Sequence, residues 1–404
     1  MRKVTILYDF NIMADAFYSG SSRSGVFTVA WEVFKALLKR KDVCVVVFCN
    51  FGILYKLQKY LENFGFKNLN YAVVEDQRPS LRRVRSFSRW ILSRLKLFFS
   101  NKILFAKNIE CDYLFTASLW QYKKVEINSN PQIFAFAHDV MPLIFPQYYP
   151  GEEWKSKFEA FDNYFANSAY TKTDFLKHLP HLQPENIIVT PLACDKRFKP
   201  ANADEIAKAR KKYNIPENKK YIFSLCTLEP RKNLIRAVKC FANFISKNNI
   251  DDLVFVLGGA HWDAFIKLLE HEIGSIKNIK SRILKIGYVD DSDQAALYSG
   301  ALFFVYTSAY EGFGLPPLEA MSCGTPVITS NNSSLPEVVG NAGIMIDYDD
   351  DEAHIKAYES YYYNENLRKE NSKKGLERAK LFSWEKCADI MITEMKRRVG
   401  LELT

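Results

Sequence analysis

Apolar residues fall along this chain in two alternating rhythms. Short, almost wholly apolar runs at residues 4–8, 42–49, 71–74, 113–116, 132–137, 164–168 and 186–190 have the length and the β-branched and aromatic content of buried strands. Between them, residues 26–38 and 53–64 carry apolar side chains every three or four positions, the spacing of one helix face. Strands alternating with helices predict a parallel sheet covered on both sides. The alternation stops at residues 194–219, which turn polar and include Pro200 and Pro216. It restarts with expected strands at 221–225, 253–257, 283–286, 302–306, 327–329 and 343–346. Residues 383–399 read as a last amphipathic helix, capped by Ser383 and anchored by Trp384. The expected fold class is α/β with two Rossmann-like domains, 1–195 and 220–382, joined by a linker at 196–219.

Length supports two domains, because 404 residues exceed one ordinary core. Hydrophobic content of 48% with 25% charged residues is that of a globular protein. No stretch approaches the roughly 20 apolar residues of a membrane span, and the N-terminus lacks a signal-peptide core, so a cytoplasmic location is expected. Eight cysteines are scattered without metal-ligand or disulfide-framework spacing, and neither a disulfide nor a structural metal is expected. The formal charge of +9 favours anionic partners, and its distribution says more than its size. Residues 78–107 contain no acidic residue and set Arg82, Arg83, Arg85, Arg89, Arg94 and Lys96 beside Leu81, Val84, Phe87, Ile91, Leu95 and Phe98 at helical spacing. Such a helix suits an anionic bilayer surface, which places the protein on the inner face of the cell membrane. The competing reading is a core-packed helix with a basic solvent face. No RNA-binding motif accompanies the stretch, and no nucleic acid partner is expected.

Candidate chemistry gathers at residues 302–325, LFFVYTSAYEGFGLPPLEAMSCGT, which read as strand, glycine-bearing loop and helix. Pro316 and Pro317 suit a first helical turn. A helix start carries partial positive charge and unpaired N–H groups, and Gly312 and Gly314 let a ligand approach the backbone. Glu311 and Glu319, eight residues apart, flank this anion site. Carboxylates that accept from hydroxyls beside a site for phosphate describe a nucleotide sugar.

The segment EGFGLPPLEAMSCGTPVI, with its Glu311 and Glu319, resembles the signature of retaining glycosyltransferases of family 4, which have the GT-B fold. The resemblance implies two Rossmann-like domains facing each other across a cleft, with a last helix, 383–404, crossing back to complete the N-terminal, acceptor-binding domain. Residues 220–382 would bind the donor. It also implies that Gly25 lets the chain pass close to the donor phosphates, a position that Ser24 equally suits as a helix cap. TLEPRKN resembles the family segment in which an Arg and a Lys hold the diphosphate, here Arg231 and Lys232. HDVMP resembles the family's His-Asp segment, which puts His138 near the transferred sugar. Backbone groups of Tyr288 and Val289 would lie against the nucleobase. The loop from Gly312 through Phe313, Gly314 and Leu315 would meet the phosphates, Glu311 the sugar and Glu319 the ribose.

The function expected is thus metal-independent, retaining transfer of a hexosyl unit from a GDP-mannose-like or UDP-sugar donor to a glycan or lipid-linked acceptor in surface polysaccharide or lipopolysaccharide synthesis. No cofactor and no metal are expected. The acidic run 347–351 is read as the cap of the following helix rather than as a metal site. A glycosidase leaves Arg231 and Lys232 unused, and the glycine patterns of dinucleotide-binding enzymes and P-loop kinases are missing. A sugar-nucleotide epimerase of the same fold and a non-catalytic, membrane-associated sugar-nucleotide-binding protein are the alternatives.

Overall fold

The computed structural model describes all residues except 1, 14–24, 68, 75–102, 106–107, 120–121, 123–124, 150, 152, 261–262, 277–278 and 402–404. The chain divides into two compact units, one formed by Met1–Asn167, Lys172–Thr190 and Trp384–Thr404, the other by Ser168–Thr171 and Pro191–Ser383.

The first unit is built on β1 (Val4–Asp9), β2 (Val43–Asn50), β3 (Asn70–Val74), β4 (Ile103–Phe105), β5 (Tyr113–Thr116), β6 (Gln132–Ala137), β7 (Asn163–Ala166) and β8 (Ile187–Val189). They lie in the order β4-β3-β2-β1-β5-β6-β7-β8, with every described pair parallel. Strands covered on both faces have no solvent side, which is why VCVVVFCN and YLFT lack a polar alternation. The order reverses between β1 and β5. At such a switch point in an open α/β sheet the connections leave to opposite faces, and a crevice opens at the carboxyl ends of the strands.

In the second unit β9 (Lys220–Leu225), β10 (Leu253–Gly258), β11 (Ile283–Gly287), β12 (Phe304–Tyr306), β13 (Val327–Ser330) and β14 (Gly343–Ile346) form a sheet in the order β11-β10-β9-β12-β13-β14, again all parallel among the described pairs. Its switch point lies between β9 and β12. Helix Leu234–Lys247 buries Leu234, Ala237, Val238, Phe241, Phe244 and Ile245 in one apolar cluster with Phe255, Leu257 and Phe303. Glycine is obligatory at the mouth of this sheet: Gly259 has φ +124°, and a Cβ there would meet the Cys226 carbonyl oxygen at 1.9 Å. The ends of β9, β10 and β11 are consequently knotted together, with Gly259 N donating to Gly287 O at 2.7 Å and Leu228 N to Ala260 O at 2.7 Å.

After the second unit the chain returns to the first as helix Trp384–Arg398. Tyr113 donates its hydroxyl to Met395 O at 2.7 Å, Lys396 pairs with Asp42 at 2.8 Å and Arg398 bonds Asn163. Asp350 caps helix Asp351–Tyr363 by accepting from Ala353 N at 3.0 Å, the role read for the acidic run.

Two expectations require correction. The polar segment 196–219, expected as a linker between domains, clusters with the second unit and carries the helix Ala203–Lys212. Asn202 and Glu205 close a reciprocal capping box on it, which nucleates a helix that few apolar residues support. Residues 103–105, at the end of the basic stretch, form edge strand β4 on β3 rather than continuing a helix. Residues 75–102 and 106–107, on which the membrane reading of 78–107 chiefly rests, lie outside the described residues.

Candidate active site

Both walls of the second unit's switch point carry charge. The turn Pro230–Lys232 follows β9 and presents Arg231 and Lys232, and the loop after β12 presents Glu311. Glu311 Oε1 accepts from Arg231 Nη1 at 2.8 Å and from Lys232 Nζ at 2.6 Å. Each cation has a second holder. Arg231 Nη2 donates to Glu229 Oε1 and Arg231 Nη1 also to Tyr310 O, while Lys232 Nζ donates to the Tyr306 hydroxyl at 2.6 Å. Lys232, Glu229 and Glu311 are all buried, at 8%, 5% and 9% exposure, so the charges interact through a medium less polar than water. Burial alone would raise the Glu311 pKa, but Arg231 and Lys232 outweigh it and hold the carboxylic acid down at about 2. Glu311 is an anion at every physiological pH. It can accept from hydroxyls and cannot serve as a general acid.

Two of the three Lys232 N–H bonds are committed to Tyr306 and Glu311. An ammonium group has three donors, so one N–H remains for a further acceptor. Further backbone donors come from the start of helix Leu315–Ser322, whose N-cap Gly314 has φ 112°. Pro316 and Pro317 have no N–H, so Gly314 and Leu315 are the donors that this helix start offers.

The glycine loop is pinned from beneath. Ser334 donates to Glu311 O at 3.0 Å and to Phe313 O at 2.6 Å, Ser333 accepts from Glu311 N at 3.0 Å, and Asn332 donates to Ala309 O at 2.8 Å. Ser168 and Thr171, which cluster with this unit, both donate to Gly312 O.

Glu319 lies in the helix, partly buried, and its Oε2 accepts from the Tyr298 hydroxyl at 2.9 Å. Burial pushes its pKa up to about 7 against the lowering effect of that bond and of Arg197. The two carboxylates of the motif are thus driven apart, one fixed as an anion and one titrating near neutrality. Val289 is a packing residue whose side chain is 1% exposed beside Gly258, whereas the Tyr288 ring stands 56% exposed just beyond β11.

Gly25 and His138 belong to the first unit. Gly25 opens helix Gly25–Leu38, and no described atom lies within 4 Å of where its Cβ would be, so packing among the described residues does not demand glycine there. His138 follows β6, and its Nε2 lies 2.8 Å from Ala117 O, which makes Nε2 the protonated nitrogen and Nδ1 the acceptor. Burial lowers its pKa to about 4, so the ring is neutral at physiological pH. Asp139 instead turns back to accept from Met141 N at 3.0 Å, a local turn role.

Sequence reasoning missed four features. Glu229 lies inside TLEPRKN with no role assigned to it there, and Tyr298 and the serine-rich loop after β13 belong to no motif noted in the sequence. Asp9, 3% exposed at the end of β1 beside the first unit's switch point, accepts from Asn11 and Thr116, and burial raises its pKa to about 6. A polar residue at the carboxyl end of an apolar strand is a signal that marks Asp9 as well as His138.

Comparison with known proteins supplies the lineage. The profile described as "Glycosyl transferases group 1" matches residues 205–378. O-antigen chain mannosyltransferase B of Escherichia coli is 33% identical over 267 residues, which cover 64% of this chain and 68% of that protein. The chain belongs to the glycosyl transferases group 1 family. Serotype-specific mannosyltransferase WbdA of Escherichia coli is 28% identical over 273 residues, 64% of this chain, and the match spans only 33% of that longer protein. The crystal structure of Anabaena HepE in complex with UDP and glucose matches 98% of this chain and 100% of its own with a TM-score of 0.69 at 14% identity. That likeness shows the fold, which is GT-B, and the family places the chain among the glycosyltransferases. Among the described residues no helix is long and apolar enough to cross a membrane.

Proposed function

We propose that the protein moves a hexosyl unit, mannosyl or a close relative, from a nucleoside-diphosphate sugar to a glycan or lipid-linked acceptor of surface polysaccharide, with retention of anomeric configuration. The observation that carries this reading is the cluster in which Arg231, Lys232 and Glu311 converge at the switch point beside the Gly314–Leu315 helix start. Support comes from relatives named as O-antigen mannosyltransferases and from the UDP and glucose bound by HepE.

Cleavage of the sugar–phosphate bond moves negative charge onto the diphosphate and positive charge onto the sugar ring. Arg231, Lys232 and the helix start stabilise the first through donors that are already in place. Glu311, fixed as an anion, accepts from the sugar hydroxyls, and Glu319 accepts from the ribose. The family resemblance assigns Gly25 to the donor phosphates, and backbone groups of Tyr288 and Val289 to the base. A neutral His138 contributes a hydrogen-bond acceptor on the side of the sugar and acceptor. The leaving phosphate oxygen itself takes the acceptor's proton on the face it departs from, so the site has no need of a separate base. With Arg231, Lys232 and the helix start as donors to the diphosphate, turnover is expected to survive a strong chelator.

The test is incubation with a panel of GDP- and UDP-sugars and a lipid-linked glycan acceptor, following release of nucleoside diphosphate and the anomeric configuration of the product by NMR. Transfer with retention, undiminished by chelator, is the expected result. Inverted product, or epimerisation of the donor without transfer, overturns the reading.

A further inference from the structure

We propose that Tyr298 is a positioning residue of the donor site, its hydroxyl fixing the Glu319 carboxylate in the orientation that receives the ribose. This inference rests on the functional reading above. Tyr298, in helix Gln294–Ser299, is fully buried, and its ring is clamped edgewise by Phe198, Phe223 and Phe304 at centroid distances of 6.0, 5.4 and 5.1 Å. Thr325 Oγ1 secures its backbone by donating to Tyr298 O at 2.7 Å. The position of the hydroxyl is therefore set by the hydrophobic core and not by the site it serves. It donates to Glu319 Oε2 at 2.9 Å, which leaves Oε1 and one lone pair of Oε2 to accept from a pair of neighbouring hydroxyls.

A hydroxyl that merely satisfied its own burial would have no effect on ligand binding. Here it acts on charge. Burial raises the Glu319 pKa to about 7, the Tyr298 bond and Arg197 lower it, and Asp291 and Asp195 raise it further. The Arg197 charge is shared with Asp291 at 3.3 Å, and the thiols of Cys194 and Cys323, whose pKa values burial and the Glu319 charge raise, are neutral. Tyr298 is thus the neutral donor that favours the anionic, hydroxyl-accepting form of Glu319 near physiological pH.

Calorimetric titration with GDP, UDP and inorganic pyrophosphate between about pH 5.5 and about pH 8.5 tests this, using wild type, Tyr298→Phe, Glu319→Gln and the double variant. Tyr298→Phe should weaken nucleoside-diphosphate binding about tenfold near neutral pH, the size expected for a lost hydrogen bond to a charged group, and leave pyrophosphate binding unchanged. The pH midpoint of nucleotide binding should move upward in Tyr298→Phe, and the double variant should bind no more weakly than Glu319→Gln alone. Equal weakening of pyrophosphate and nucleotide, or an unmoved midpoint, overturns the positioning role. Should Tyr298→Phe fail to fold, Glu319→Gln still decides: nucleotide binding that keeps the wild-type pH dependence without this carboxyl overturns the proposal. Wild-type protein that binds none of the three ligands overturns the donor reading itself, and the positioning role with it. Binding by wild type that Tyr298→Phe leaves intact overturns the positioning role only.

Discussion

Glu311 Oε1 is where the electrostatics of the second unit converge, since Arg231 and Lys232 both donate to it in a buried setting. Glu311→Gln leaves Arg231 with Glu229 and Lys232 with the neutral Tyr306 hydroxyl, and breaking a buried pair in this way costs on the order of 3 kcal/mol. Urea unfolding near neutral pH should register that loss together with the loss of transfer. The linkage has a definite sign. With its folded pKa lowered from 4.5 to about 2, Glu311 contributes stability that is fully present above 4.5 and lost as pH falls towards 2. Glu319 acts oppositely: raised from 4.5 to about 7, it contributes stability present below 4.5 and lost as pH rises through 7. Stability measured against pH should therefore lose its acid limb in Glu311→Gln and its neutral limb in Glu319→Gln. Arg231→Lys keeps the charge and removes the fork that reaches Glu229, Tyr310 and Glu311 at once, so kcat/KM should fall at least about tenfold. The charged members of this cluster were legible in the sequence because residue type and motif position announce them. Glu229, Tyr298 and Ser334 were not, since each acts by contacting another residue and that contact exists only once the chain has folded.

Strands were the most legible elements, because a strand buried on both faces is written as an unbroken apolar run, as in LVFVLG of β10. β4 escaped notice because three residues carry too little periodicity to compete with the basic helical pattern before them. The helix Ala203–Lys212 escaped for a different reason: its mean composition is polar, and its ends rather than its apolar face define it. Loop geometry makes its own prediction. Gly259→Ala places a methyl carbon 1.9 Å from the Cys226 carbonyl oxygen, a backbone atom held in the knot of β9, β10 and β11. In Gly314→Ala the nearest atom is the flexible tip of Leu335, at 2.8 Å. Both positions have positive φ, so both substitutions are strained by roughly 1–3 kcal/mol, and the clash adds much more at 259. Thermal unfolding should show Gly259→Ala as much the less stable of the two, while Gly314→Ala, at the proposed phosphate site, shows the larger defect in donor KM relative to its loss of stability.

Across the whole molecule, an excess of nine positive charges coexists with a proposed donor site whose ion cluster pairs two cations with two carboxylates and is formally neutral. We propose that the basic residues of 78–107 give the protein an affinity for anionic surfaces. Vesicles containing anionic lipid should bind the protein in a manner that weakens as salt rises, and neutral vesicles should not. Equal binding to both would assign any membrane affinity to apolar contact. The two-fold repetition of the strand and helix rhythm made the paired Rossmann-like sheets readable, edge strand β4 excepted, and the family match and the GT-B likeness agree with it. The central claim is that Arg231 and Lys232, held between Glu229, Glu311 and Tyr306, grip a diphosphate. A crystal structure of the protein soaked with GDP or UDP tests it most directly. The account predicts phosphate oxygens within hydrogen-bonding distance of both side chains and of the Gly314–Leu315 backbone, and a nucleotide bound away from them, with the ion cluster undisturbed, would contradict it.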